Sequence, residues 1–217
     1  MIKGIIFDMD GVIIDSNGVH YERWNTLFQK KFKITLNKEE FASHLGESSK
    51  HFSEHFLKYT DSDATYDSLF PDLKDSYQRL KKKIVLKKGV ITTLRALKKD
   101  YKIALATGAN KKTAIETLTR FDILKYFDFI VGGDEVKNAK PAPEIFLKAA
   151  DGLGIRNKDC VVVEDSYNGL IAAKKAGMHC IIIKDEFTKH QDHSKADRIL
   201  ESMEKLKKTI IGELDHI

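Results

Sequence analysis

The chain has 217 residues, 42% of them hydrophobic and 32% charged, with a formal net charge of +5. That length folds as one large domain, or as a core carrying a smaller insert, and excludes dependence on disulfides or structural metal. The composition excludes disorder, and no stretch approaches the roughly 20 apolar residues of a membrane span.

Residues 2–7 form a nearly continuous apolar run, the pattern of a strand buried on both faces, and the run stops at Asp8 with Gly11 in the following turn. Residues from about 16 to about 83 then read as helical. Val19, Trp24, Leu27 and Phe28 make one stripe, Phe52, Phe56 and Leu57 a second, and Leu69, Leu73 and Leu80 a third, at helical spacings. From Gly89 onward, helices and strands alternate. Helices are expected over 90–99, 113–121, 143–153, 167–176 and about 200–212, and strands over 103–106, 129–131, 161–163 and 180–183. Alternation of this kind predicts an α/β fold, a Rossmann-like parallel sheet core with an inserted helical cap domain. The core comprises 1–15 and 86–217 and the cap 16–85, with crossings near 15–17 and 85–88.

In open parallel sheets, ligands bind beyond the carboxyl ends of the strands. Those positions hold Asp8 and Asp10, then Thr107-Gly108-Ala109, Lys140-Pro141 in a loop, and Glu164-Asp165-Ser166. Acids gathered at one edge repel one another unless a hard cation joins them, so Asp8, Asp10, Glu164 and Asp165 are the expected Mg²⁺ site. Asp8 and Asp165 supply carboxylates, Asp10 its carbonyl, and Glu164 acts as ligand or as orienter. Asp8 is suited to attack phosphorus, giving an aspartyl-phosphate. Thr107, Gly108 and Ala109 are placed to hold phosphoryl oxygens, and Lys140 supplies a positive charge. Asp10 is expected to protonate the leaving oxygen and then deprotonate water, which calls for a raised pKa.

Asp8-Met9-Asp10-Gly11-Val12 resembles the DxDGV signature of the haloacid dehalogenase superfamily. Thr107, then Lys140-Pro141-Ala142-Pro143-Glu144, then Glu164-Asp165-Ser166 come in the order of that family's later motifs. The cap's position resembles the helical-cap subgroup, which includes β-phosphoglucomutase and sugar-phosphate phosphatases. The resemblance implies a magnesium-dependent phosphatase or mutase acting on a small phosphorylated metabolite, and an acid at position 10 disfavours dehalogenation. His20 and Trp24 are similar to mutase cap residues. The mutase G-x-S-R pattern, however, meets Gly46-Glu47-Ser48-Ser49-Lys50, with Ser49 in place of arginine and Leu45 in place of a preceding lysine. These departures favour hydrolysis of sugar or polyol phosphates, with mutase activity as the alternative. His20, Glu47 and Lys50 are expected to face substrate.

The two cysteines, Cys160 and Cys180, lie in apolar surroundings and read as buried thiols of a reduced, cytoplasmic protein. A monomer or weak dimer is expected. Lysine runs at 81–83, 87–88 and 207–208 lack interleaved aromatics and read as solvated helix ends, so no nucleic acid and no membrane partner is expected. His51-Phe52-Ser53-Glu54-His55 matches a zinc-protease pattern, but Phe52 belongs to a helical stripe and no third ligand is evident. His190 and His193 are expected on the surface. A receiver-like phosphoacceptor module is the non-enzyme alternative, disfavoured by the helical insert and the DxD spacing.

Overall fold

The computed structural model describes residues 1–47 and 49–214. Strand β1 (Gly4–Phe7) is buried throughout. The chain then turns tightly, the Ile13 and Ile14 amides both donating to the Met9 carbonyl, and enters β2 (Ile14–Asp15). Four helices come next: α1 (Asn17–Phe32), α2 (Lys38–Ser43), α3 (Ser49–Leu57) and α4 (Tyr66–Leu80). Asn37 caps α2 by accepting from the Glu39 and Glu40 amides, and Thr65 and Ser68 form a reciprocal capping box at α4. The four helices enclose Trp24, Phe28, Phe41, Phe52, Phe56 and Leu69, a cluster separate from those of the sheet. Each large apolar side chain fully buried contributes about 1.5–3 kcal/mol, so the insert has a core of its own. Strand β3 (Val85–Leu86) returns antiparallel to β2, with Ile14 opposite Leu86. This two-stranded ribbon carries the chain into and out of the helices.

After α5 (Val90–Leu97) the alternating part begins: β4 (Lys102–Ala106), α6 (Lys111–Arg120), β5 (Phe129–Val131), α7 (Glu144–Leu153), β6 (Cys160–Glu164), α8 (Tyr167–Lys175) and β7 (His179–Ile183). It closes with β8 (Arg198–Leu200) and α9 (Leu206–Thr209). The strands form a six-stranded parallel sheet in the order β5-β4-β1-β6-β7-β8. Side chains alternate across it. Phe7, Leu105, Val163 and Ile181 meet α5, α6 and α9 on one face, whereas Ile6, Ala104, Val162 and Ile182 meet α7 and α8 on the other. This is the doubly wound, Rossmann-like arrangement. Because the chain runs outward in both directions from β1, the crevice falls at the carboxyl ends of β1, β4 and β6.

One expected element starts too early. Residue 200 ends edge strand β8 rather than starting a helix, and the final helical turns begin at Met203 with a 3-10 turn that leads into α9. A three-residue edge strand held by backbone pairing to β7 is too short to show periodicity. Among the described residues, no helix is long and apolar enough to cross a membrane.

Candidate active site

Strand β1 delivers Asp8 to the centre of the crevice, where its amide donates to Val163 at 2.9 Å and fixes it beside β6. Lys140 arrives from the loop before α7. Its Nζ lies 2.6 Å from Asp8 Oδ1 and 2.7 Å from Glu164 Oε1, with the ammonium over the Phe146 ring. Glu164 Oε2 accepts from the Asp165 amide, the Ser166 amide and the Ser166 hydroxyl at 2.8–3.0 Å. Both Glu164 oxygens are therefore engaged. Gly169 makes room for this carboxylate, since a Cβ there would stand 1.8 Å from Glu164 Oε1. Gly11 does the same for Asp165: its φ is +76°, and a Cβ would come within 2.2 Å of Asp165 Oδ2.

Asp8, Glu164 and Asp165 can bring one oxygen each within 4.8 Å of one another, all three residues buried. Among the described residues, Lys140 is the cation in ion-pair contact with this trio, through Asp8 and Glu164, so three ionised carboxylates would leave a deficit of two positive charges. Burial pushes the Asp8 carboxyl up to about 8 despite the opposing pull of Lys140. Burial, then the charges of Glu164, Asp8 and Asp185, push Asp165 well up. Burial acts on Glu164 too, but Lys140 and the backbone donors outweigh it and hold it below its usual range. Lys140 is correspondingly raised by its two carboxylates against the effect of burial. A dry, oxygen-only site short of two charges fits a small divalent cation.

Thr107, at the end of β4, is fully buried, and its hydroxyl accepts from the Ala109 amide at 3.1 Å. Thr107, Lys140 and Glu164 form a layer beneath a cavity of about 650 Å³. Asp8, Asp10, Asp165, Gly108 and Ala109 line its floor, and His20, Glu47 and Lys50 line its cap side. Ser48, within the loop expected to contact substrate, lies outside the described residues. Glu47 is held by His44 Nδ1 at 3.2 Å, and Lys50 is exposed.

Asp10 departs from expectation. Its Oδ1 accepts from Ser16 Oγ at 2.5 Å and contacts His20 Nε2 at 2.9 Å. Burial favours the protonated form, but the charge and hydrogen bond of His20, the Ser16 hydroxyl and Arg23 prevail, so its carboxyl sits below the usual range rather than above it. Ser16 occupies the N-cap position of α1 yet makes no side-chain cap bond, its hydroxyl being given to Asp10.

Several residues that hold this site carried no local signal. Asn17 Nδ2 donates to Asp165 Oδ2 and to Asp185 Oδ1, both at 3.0 Å. Lys87 Nζ meets Asp185 Oδ2 at 2.8 Å and the Gly11 carbonyl at 2.7 Å. Asp185 thus ties one residue from each crossing of the ribbon to the Asp165 carboxylate. His193 is buried, not superficial: it packs against the Asp165 backbone, and burial lowers its pKa. His190 is exposed. His55, from the zinc-like pattern, pairs with Glu40 at 3.0 Å. Cys160 and Cys180 are buried free thiols.

The sequence and the fold have counterparts among known proteins. The profile of the family described as haloacid dehalogenase-like hydrolase matches residues 5–183. The chain belongs to that family. A phosphorylated carbohydrates phosphatase from Thermotoga maritima is 33% identical over 196 residues, 83% of this chain and 84% of that protein. Among solved structures, β-phosphoglucomutase from Clostridium difficile is similar at a TM-score of 0.86 and 29% identity, covering 98% of this chain and 96% of that one. A variant of CbbY from Rhodobacter sphaeroides, in complex with xylulose-(1,5)bisphosphate, has a TM-score of 0.84 and 28% identity, covering 95% and 96%.

Proposed function

We propose that this hydrolase is a magnesium-dependent phosphatase that removes phosphate from small phosphorylated carbohydrates or polyols, with Asp8 as nucleophile. The observation that carries the reading is the buried Asp8–Lys140–Glu164 network opening onto a 650 Å³ cavity, a volume suited to a sugar phosphate. The relatives named as acting on phosphorylated sugars support the same class.

Asp8 and Asp165 would hold the cation together with the Asp10 carbonyl, and Glu164 would orient Lys140 and the Asp165 backbone. The cation would supply charge neutralisation for the phosphoryl oxygens. Asp8 attacks phosphorus in line with the leaving oxygen, and the carboxylate becomes an acyl phosphate. Lys140 neutralises charge on the transferring group, and the Gly108 amide, lining the floor, donates to it. Asp10 enters ionised, held by Ser16 and His20. The substrate phosphate brings negative charge beside it and excludes water, both of which raise its pKa, so that it takes up a proton from solvent as substrate binds and gives that proton to the leaving oxygen as the P–O bond breaks. After the alcohol leaves, the ionised carboxylate takes a proton from the water that hydrolyses the acyl phosphate. Two buried thiols suit a reducing, cytoplasmic setting.

The test is phosphate release from a panel of phosphorylated sugars and polyols, with magnesium and with chelator. Magnesium-dependent release that is lost in Asp8→Asn supports the reading. Release by Asp8→Asn at the parent rate removes it.

A further inference from the structure

On the inner face of α1, His20 and Arg23 lie one turn apart. His20 is hydrogen-bonded to Asp10, whereas Arg23 acts on Asp10 only through its charge at a distance: among the described residues no carboxylate forms an ion pair with it, and its buried Nε has no hydrogen-bond partner. Its guanidinium carbon stands 5.8 Å from the Trp24 ring centroid and 5.7 Å from that of Tyr77. Burial dominates its surroundings and draws its pKa below the ordinary arginine value. A buried donor that the fold leaves unsatisfied is costly and calls for an explanation.

The cavity supplies one. Arg23 lines it together with Tyr66, Phe70, Leu73, Lys74, Tyr77 and Gln78 of α4, a wall that sets donors and cations among apolar side chains and, among the described residues, carries no acid. The acids of the same cavity lie elsewhere: Asp8, Asp10 and Asp165 on the floor, and Glu47, Glu116 and Asp134 on the other sides. With a helical rise of about 1.5 Å per residue, the backbone of Arg23 lies about 4.5 Å beyond that of His20, away from Asp10. A phosphoryl group at Asp8 would therefore leave the far end of its alcohol against this wall.

We propose that Arg23 anchors a second oxyanion on the substrate, so that preferred substrates are phosphomonoesters whose leaving alcohol carries a carboxylate or a further phosphate. The planar guanidinium fork matches either group, and the aromatic faces beside it exclude water from the contact. This rests on the phosphatase reading above.

Three ligands with one six-carbon chain test it: sorbitol 6-phosphate, 6-phosphogluconate and sorbitol 1,6-bisphosphate, differing only in a terminal hydroxymethyl, carboxylate or phosphate. The expected result is a kcat/KM for at least one anionic ligand roughly 10- to 100-fold above that of the neutral one, expressed mainly in KM. Arg23→Gln should collapse that ratio towards one, and Arg23→Lys should keep part of it. Which anion gives the larger ratio names the class. Melting temperatures of both variants identify any that fail to fold, and Arg23→Lys, which keeps the stem and the charge, then carries the comparison. Release from all three ligands without anionic preference, or an equal loss on all three in Arg23→Gln, overturns the proposal and leaves the phosphatase reading standing. No magnesium-dependent release from these or from an aryl phosphate overturns both.

Discussion

At the strand ends, Lys140 is sealed between Asp8 and Glu164 at 2.6 and 2.7 Å, its side chain only 2% exposed. Across the cavity, Lys50 and Lys74 of the cap stand in solvent, and Arg23 is half-buried without an acidic partner among the described residues. The floor uses its charges on one another, in a low-dielectric layer where each hydrogen bond fixes geometry. The cap pairs many of its charges, as in His44–Glu47 and His55–Glu40, but among the described residues it leaves Lys50, Lys74 and Arg23 without an acidic ion-pair partner, where they can be spent on a ligand. The proposed chemistry sits on strand ends, and the uncommitted cations sit on helices joined to the sheet by a two-stranded ribbon.

If that division holds, the two regions should respond unequally to substitution. The largest effect should come from Lys140→Met, which strands two buried carboxylates. Breaking a buried pair in this way costs about 3–5 kcal/mol, and kcat should fall by roughly 10³-fold. Chemical unfolding with and without magnesium, together with steady-state kinetics, measures both. Asp185→Ala comes next. It frees Asn17 and Lys87 and so loosens Asp165, and magnesium affinity should weaken by about 10- to 100-fold, as for other outer partners of ligands. Titration calorimetry reads this directly, and unchanged affinity would mean that the ribbon and the floor are independent.

A pH series separates the regions further. Asp8 and Asp165 have raised pKa values in the folded, metal-free chain, so folding retains protons that the unfolded chain releases. Stability of the metal-free protein should therefore fall as pH rises from the ordinary carboxylate range near 4 towards the value of about 8 held by Asp8. Glu164 and Asp10, lowered in the fold, act at the acid end and do not obscure this window. The rise in melting temperature on adding magnesium should grow over the same window. The smallest effect should be that of Lys50→Ala, a few-fold in KM with kcat little changed, as befits an exposed charge.

The floor was legible in the sequence because strand ends advertise themselves. Each buried strand is a continuous apolar run, and the residues just past its end lie at the crevice, so Asp8, Thr107, Glu164 and Asp165 were found by position. Helices α1 and α4 were legible through stripes such as Leu69 and Leu73. What escaped depended on approach in space. Asp185 reaches Asn17 across 168 residues, and no local pattern announces such a pairing. Strands β2 and β3, of two residues each, are too short for any period. His193 looks like a loop residue in sequence and is buried only because its loop folds against Asp165. The Asp10 carboxyl is held low by Ser16 and His20, residues six and ten positions away whose orientation the turn at Gly11 decides. Arg23, in the sequence, is one more basic residue on an amphipathic helix.

The central claim is that the substrate's phosphoryl group passes through Asp8. Acid quench of the Asp10→Asn variant during turnover, with peptide mass spectrometry of the quenched protein, tests it most directly, because loss of the base slows release of the acyl phosphate. The expected result is a phosphate on the peptide containing Asp8 that requires magnesium and is missing when Asp8 is also replaced by Asn. Phosphate on another residue, or the same adduct in the absence of Asp8, would contradict it.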